Sequence, residues 1–381
     1  MPEVNELDIS TLRNERRKET DNTPLYAKYI KDSKELVENA SKLIKKYQTK
    51  ELTPIKFRKE YMNTNLLGGL YPGNVIGIAG SSGHGKSTLL QELEDDIFND
   101  DLNPDNKDYI LVRNNYEMSV FKLFLRELKK QTNKKIADIL GEEFSEEEQE
   151  IADRVVKKES DDRIKYFETP QDPETWFSIM VSFCEAYKDK SHIVISIDHI
   201  ALVKQTFAGK KDGIDNLIEY INVLRHLYHN VSFLILSQLN REIEARDNPR
   251  TSAPRKGDLY QSDFLFQISD VIIVVHNPYK LGLQEHMVVG QNQYKHLDAF
   301  KKDASKKTTN FNTKGNIFYH FIKLREDEGG TLQDVYIERI NTNKLKGNVN
   351  NGNNVQDSYR KELPKYEPNL ELFEDPISPF D

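Results

Sequence analysis

Residues 80–88 read GSSGHGKST and follow the apolar run VIGIA, Val75–Ala79. Gly80, Gly83 and Gly85 crowd a short loop, and glycine is costly unless the chain needs positive φ or a close backbone approach. The spacing G-x-x-x-x-G-K-[ST] is that of a phosphate-binding loop. Its backbone N–H groups, from Gly80 through Ser81, Ser82, Gly83, His84 and Gly85, converge on phosphate oxygens. Lys86 reaches the terminal phosphates, Ser87 ligates Mg²⁺, and Thr88 closes the motif. The setting is the required one: a buried strand comes before, and a helix opening on Leu89–Leu93 comes after. The expected ligands are ATP and Mg²⁺.

At 381 residues the chain can hold one large α/β domain with extensions, or two modest domains. Its 54 Lys and Arg against 62 Asp and Glu leave a net charge of −8. Any nucleic-acid contact must therefore come from a local basic patch. The single cysteine, Cys184, excludes an intrachain disulfide and a cysteine-based zinc site. The N-terminal stretch MPEVNELDIS is polar and acidic, unlike a signal peptide, and no apolar run approaches membrane-spanning length. The expectation is a cytoplasmic protein.

Residues 1–23 are polar and are expected to be mobile, whereas residues 24–48 space Tyr26, Ile30, Val37, Ala40, Ile44 and Tyr47 as an amphipathic helix does. After a linker to residue 53, apolar strands alternate with helical stretches: Val75–Ala79, Tyr109–Arg113, Ile193–Asp198, Val231–Ser237, Val271–His276 and Phe318–Arg325. That alternation predicts an α/β fold, a mainly parallel sheet covered by helices on both faces. The stretch 277–316 reads as an inserted hairpin or loop. From Asn341 the chain turns polar and low in complexity, then acidic, which predicts a disordered tail over 341–381.

In open parallel sheets, ligands collect at the carboxyl ends of strands. The strand IVISID ends in Asp198, placed to hold the Mg²⁺ water shell opposite Ser87. The strand beginning at Tyr109 leads to Glu117, which reads as a base for the attacking water or as a helix-start glutamate. The strand VSFLIL leads to Gln238, a nucleotide sensor or an ordinary polar strand end. The next run carries Arg241, Arg246, Arg250, Arg255 and Lys256 among turn residues, suited to nucleic-acid phosphates or to solvent. Lys204, Lys210 and Lys211 offer a second basic stretch of the same kind. Finally, Lys323 and Arg325 lie two apart, hence on one face of a strand. They pair with local acids such as Glu326, or serve a neighbouring subunit's γ-phosphate as an arginine finger does.

Taken in order, these pieces over residues 54–340 resemble the RecA-type motor domain of DnaB-family replicative helicases. LLGGLYPGNVIGIAG resembles the family's lead into the phosphate loop, and YEMS (116–119) its segment with the catalytic glutamate. SQLNR (237–241) resembles its sensor motif, DLYQSDFLFQISDVIIVVH (258–276) its D-L-x-x-S stretch, and K-L-R (323–325) its pair that acts across subunits. The resemblance implies catalytic roles for Glu117, Lys86, Gln238, Lys323 and Arg325. It also implies a hexameric ring with ATP at subunit interfaces and single-stranded DNA against the basic loops. Helix 24–48 resembles the linker helix that docks on a neighbour, with packing on its own domain as the alternative. The residues before 54 leave no room for the family's N-terminal helical domain, which is therefore expected to be missing, and the sequence also departs in the long 277–316 insert and in EDEGG after the finger. Without that domain, primase coupling and loader handling are not expected to follow the family. The tail segment NLELF (369–373) resembles peptides that dock on sliding clamps. The leading expectation is an ATP-driven DNA helicase; the alternative is a RecA-like DNA-binding ATPase in recombination, loading or regulation.

Overall fold

The computed structural model describes residues 33–200, 209–248, 251–260, 263–289, 308–325 and 334–339. The chain runs through helices α1 (Ser33–Gln48) and α2 (Glu60–Asn65), strand β1 (Val75–Ala79), helix α3 (Lys86–Ile97) and strand β2 (Tyr109–Asn115). Helices α4 (Val120–Thr132), α5 (Ile136–Gly141) and α6 (Glu146–Glu159) lead to strand β3 (Ile164–Phe167). The alternation continues with α7 (Pro173–Ala186), β4 (His192–Asp198), α8 (Lys210–Leu227), β5 (Val231–Leu236), α9 (Asp263–Ile268) and β6 (Val271–His276). Strands β7 (Glu285–Val289), β8 (Thr308–Asn312), β9 (Asn316–Leu324) and β10 (Asp334–Arg339) follow.

One eight-stranded sheet takes the order β10-β9-β6-β1-β5-β4-β2-β3. From β6 to β3 every pairing is parallel, whereas β9 and β10 close the other side antiparallel. The central parallel strands β1, β4, β5 and β6 are buried on both faces, so they read as largely apolar runs. Period-two geometry divides each run between two cores. Val194, Leu234 and Leu236 join Ile76, Ile78 and the α3 leucines Leu89, Leu90 and Leu93 on one face. Ile193, Ile195, Ile197, Phe233 and Ile235 meet Trp176 of α7 and Leu217, Ile218 and Ile221 of α8 on the other. Each fully buried Leu, Ile or Phe contributes about 2 kcal/mol of apolar burial.

Helix starts follow local chemistry. Ser145 and Glu148 form a capping box on α6, and Asp172 caps α7 ahead of Pro173. Within the insert, β7 and β8 form a two-stranded antiparallel hairpin, Glu285 opposite Asn312. Two strands escape a reading by apolar runs. β3 is short and only half-buried, and β10 alternates polar and apolar residues as it pairs with β9. The amphipathic helix is described from Ser33 onward, with Val37, Leu43 and Ile44 exposed and Tyr47 edge-on to Tyr71. Residues 1–32, Lys204, Arg250, Glu326 and the rest of EDEGG, and the tail with NLELF lie outside the described residues. No helix among the described residues is long and apolar enough to cross a membrane.

Candidate active site

The phosphate loop leaves the carboxyl end of β1 and enters α3. Gly85 caps that helix at φ 108°, in the left-handed region where a side chain is strained. Gly80 is needed for space: a Cβ there would sit 2.5 Å from the Val275 carbonyl oxygen and 3.1 Å from Lys86 Cγ. Lys86 is buried and donates to the carbonyl oxygens of Gly80 at 2.7 Å and Ser81 at 3.0 Å. Burial pulls its ammonium below the usual lysine range, opposed by the charges of Glu117, Asp198 and Glu244. The loop is fastened to the turn after β6: the Asn277 N–H donates to His84 Nδ1 at 3.2 Å, and Lys280 Nζ donates to the Gly83 carbonyl at 2.5 Å. Arg126 of α4 donates to Thr88 Oγ1 at 2.8 Å.

Parallel register brings the remaining groups to the same end of the sheet. Asn115 pairs with Asp198, and the Tyr116 N–H donates to the Asp198 carbonyl at 2.9 Å, which sets Glu117 just beyond β4. Asp198 is buried, and its Oδ1 has no hydrogen-bond partner among the described residues. Burial, then the neighbouring Glu117 charge, pushes its carboxyl up to about 6, while a hydrogen bond with Ser87 and the charges of Lys86 and Arg126 pull it down. An orphaned carboxylate oxygen beside a hydroxyl fits a divalent cation, so Ser87 and Asp198 are the residues that would hold Mg²⁺.

His199, which follows Asp198, ties the site together. The Gln238 amide donates to its Nε2 at 3.2 Å, and Glu117 Oε2 lies 4.0 Å from the same nitrogen. Glu117 is half-exposed and His199 is buried. The structure thus links the two strand-end residues through a third that motif reading passed over. Its adjacency to Asp198 in IVISIDH was the available signal.

Lys323 and Arg325 stand elsewhere. β9 runs antiparallel to β6, with Ile272 opposite Lys323 and Val271 opposite Leu324, while Ile76 pairs with Val271. Arg325 is therefore level with the start of β1, about 13 Å of strand away from the phosphate loop at 3.3 Å per residue. Both cations turn onto the C-terminal carbonyls of α9. Lys323 Nζ donates to Phe266 and Gln267, and Arg325 donates to Gln267 and Ile268 at 3.0 Å each. Burial, with Arg325 beside it, pulls the Lys323 ammonium down to about 8. Arg325 also pairs with a local acid, Asp270, at 2.7 Å.

The basic loop follows Gln238. Arg241, Arg255 and Lys256 are exposed, and Lys256 lies over the Phe266 ring at 4.6 Å. Arg246 is engaged internally: it pairs with Asp258 and donates to the carbonyls of Thr251 and Ala253, which closes the loop on itself. Lys211 is exposed at the start of α8, and Lys210 begins that helix.

A family profile described as DnaB-like helicase C terminal domain matches residues 60–313. The chain belongs to the DnaB-like helicase family. The match spans the phosphate loop, Glu117, Asp198 and Gln238, and ends before Lys323 and Arg325. Membership in the DnaB-like family carries an ATP-hydrolysing, helicase-type function. Two solved structures share the RecA-like fold. One is described as an ATPase domain, 17% identical, with a TM-score of 0.55 over 78% of this chain and 94% of that one. The other is a DnaB-like replicative helicase described together with its interactions with primase, 16% identical, with a TM-score of 0.54 over 86% of this chain and 67% of that one. No curated protein matches the chain in sequence.

Proposed function

We propose that the chain is an ATP-driven DNA helicase of the cytoplasm. It works as a ring, hydrolyses ATP at subunit interfaces and moves along single-stranded DNA. The observation that carries this reading is the separation of the nucleotide loop from Lys323 and Arg325 across the two ends of one sheet. A cation that cannot reach its own subunit's nucleotide is suited to another's, and such a finger stabilises the charge of phosphoryl transfer.

Within one subunit the roles divide by chemistry. Lys86 leaves the Gly80 and Ser81 carbonyls for the β- and γ-phosphates, and the α3 N-terminus supplies N–H donors. Ser87 and Asp198 would hold Mg²⁺, whose charge would offset that of the phosphates. Glu117 takes a proton from the attacking water, and His199 holds Gln238 beside it. The Gln238 strand end continues directly into the basic loop, so a shift at the γ-phosphate is passed to Arg241, Arg255 and Lys256. These bind nucleic-acid phosphates while Arg246 keeps the loop's shape.

Strand displacement on forked duplexes tests this reading, with 5′-tailed and 3′-tailed substrates compared and Lys86→Ala as control. The helicase predicts unwinding of one tail polarity, lost in the control. ATP turnover stimulated by single strands without displacement supports the DNA-binding ATPase instead.

A further inference from the structure

A guanidinium that serves a neighbour's γ-phosphate must be held in one orientation at its own subunit's rim, because a freely rotating arginine loses much of its effect to entropy. Asp270 provides the hold. It sits between α9 and β6, and its carboxylate meets three elements. Oδ1 pairs with Arg325 NH1 at 2.7 Å. Oδ2 accepts the Val75 N–H at 2.8 Å, at the start of the strand that feeds the phosphate loop. Arg225 NH1, from α8, lies 3.6 Å from Oδ2 and donates to the Ile268 carbonyl at 2.9 Å.

The backbone fixes the same corner. The Asp270 N–H donates to Val75 O at 2.8 Å, and the Arg325 N–H to Asp270 O at 2.9 Å. Asp270 is mostly buried, whereas Arg325 is exposed at 36%. Among the described residues, Arg325 directs NH1 to Asp270 and NH2 to two carbonyls. That leaves the Nε hydrogen and the second NH1 hydrogen of its five N–H donors.

We propose that Asp270 is a positioning residue for the trans-acting finger: it fixes the plane of the Arg325 guanidinium so that the remaining N–H groups meet the neighbouring subunit's nucleotide, and Arg225 braces the carboxylate. The proposal rests on the reading that Arg325 acts across an interface.

The test is steady-state ATP hydrolysis by the full chain on single-stranded DNA, comparing wild type, Asp270→Asn and Arg325→Ala. Asp270→Asn keeps the shape and removes the charge. It should lower kcat about tenfold or more with KM for ATP little changed, since the finger acts on the transition state. Mixing Asp270→Asn subunits with Lys86→Ala subunits should recover turnover, because mixed interfaces pair an intact loop with a properly held finger. A lower melting temperature with unchanged kcat overturns the proposal. So does a raised kcat, which would make the contact a restraint, and so does failure of mixing to rescue, which would place the defect in the subunit's own nucleotide loop through Val75. Should Asp270→Asn not fold, Arg225→Gln carries the same predictions at a few-fold size. Normal hydrolysis by Arg325→Ala would instead refute the finger reading itself.

Discussion

The two ends of the central sheet carry charged groups in opposite conditions. At the carboxyl ends, Asp198 keeps a buried oxygen without a partner, and Lys86 is folded back on its own loop carbonyls. At the amino ends, Lys323, Arg325 and Arg225 are held by α9 carbonyls and Asp270, with two N–H groups of Arg325 left over. The first is an arrangement that a phosphate and a cation complete. The second is held together within one subunit and leaves the edge of Arg325 exposed. In the proposed reading, a hydrolytic site divided in this way would tie catalysis to assembly.

The largest effects should come from the two ends separately, and by different routes. Lys86→Ala should abolish hydrolysis by at least roughly a thousandfold and weaken nucleotide binding, measured by turnover and by titration with a fluorescent nucleotide. Arg325→Ala should lower kcat by roughly a thousandfold with nucleotide affinity nearly intact. Equal loss of affinity in both variants would collapse the distinction. An intermediate effect is expected at His199. His199→Ala frees Gln238 and removes the imidazole near Glu117, so DNA-stimulated kcat should fall about tenfold. An unchanged rate would make His199 a packing residue only.

Acid should act more gently, through the buried histidines near the phosphate loop. His84, His276, His286 and His320 are buried around the phosphate loop and the turn after β6, with rings 5.1–5.8 Å apart between neighbours. Burial holds all four below the usual histidine value: His84 and His286 at about 4, His276 and His320 well below. The folded chain therefore keeps them neutral while the unfolded chain takes protons near 6.5. Their contribution to stability is full above that value and is lost as pH falls toward about 4, on the order of 1 kcal/mol per histidine between about pH 7.5 and 5.5. Asp198, raised to about 6, has the opposite sign: its share grows below that value and is absent above it. Urea midpoints across that range should fall steeply with acid. His276→Phe should flatten the slope, and an unchanged slope would contradict the assignment.

What could be read in the sequence was whatever is local. GSSGHGKST after VIGIA contains its own strand, loop and helix start, and the unbroken apolar strands announce a sheet covered on both faces. Asp198 and Gln238 were legible as strand ends. The pairing of distant segments was not. Lys280 reaches Gly83 across 197 positions, and Asp270 meets Val75 across 195. Nothing in FIKLRE says that Lys323 and Arg325 stand at the far end from their own nucleotide loop, because that depends on the antiparallel return of β9 beside β6. Arg246 read as one more free cation until the fold brought Asp258 against it.

The most direct measurement is ATP turnover in mixtures of Lys86→Ala and Arg325→Ala subunits, each inactive alone. If nucleotide sites form between subunits, mixing creates interfaces with one intact loop and one intact finger, and turnover should rise well above either parent, greatest near equal proportions. Mixtures that stay as inactive as their components, under conditions where the subunits exchange, would contradict a site shared between the two ends of the sheet.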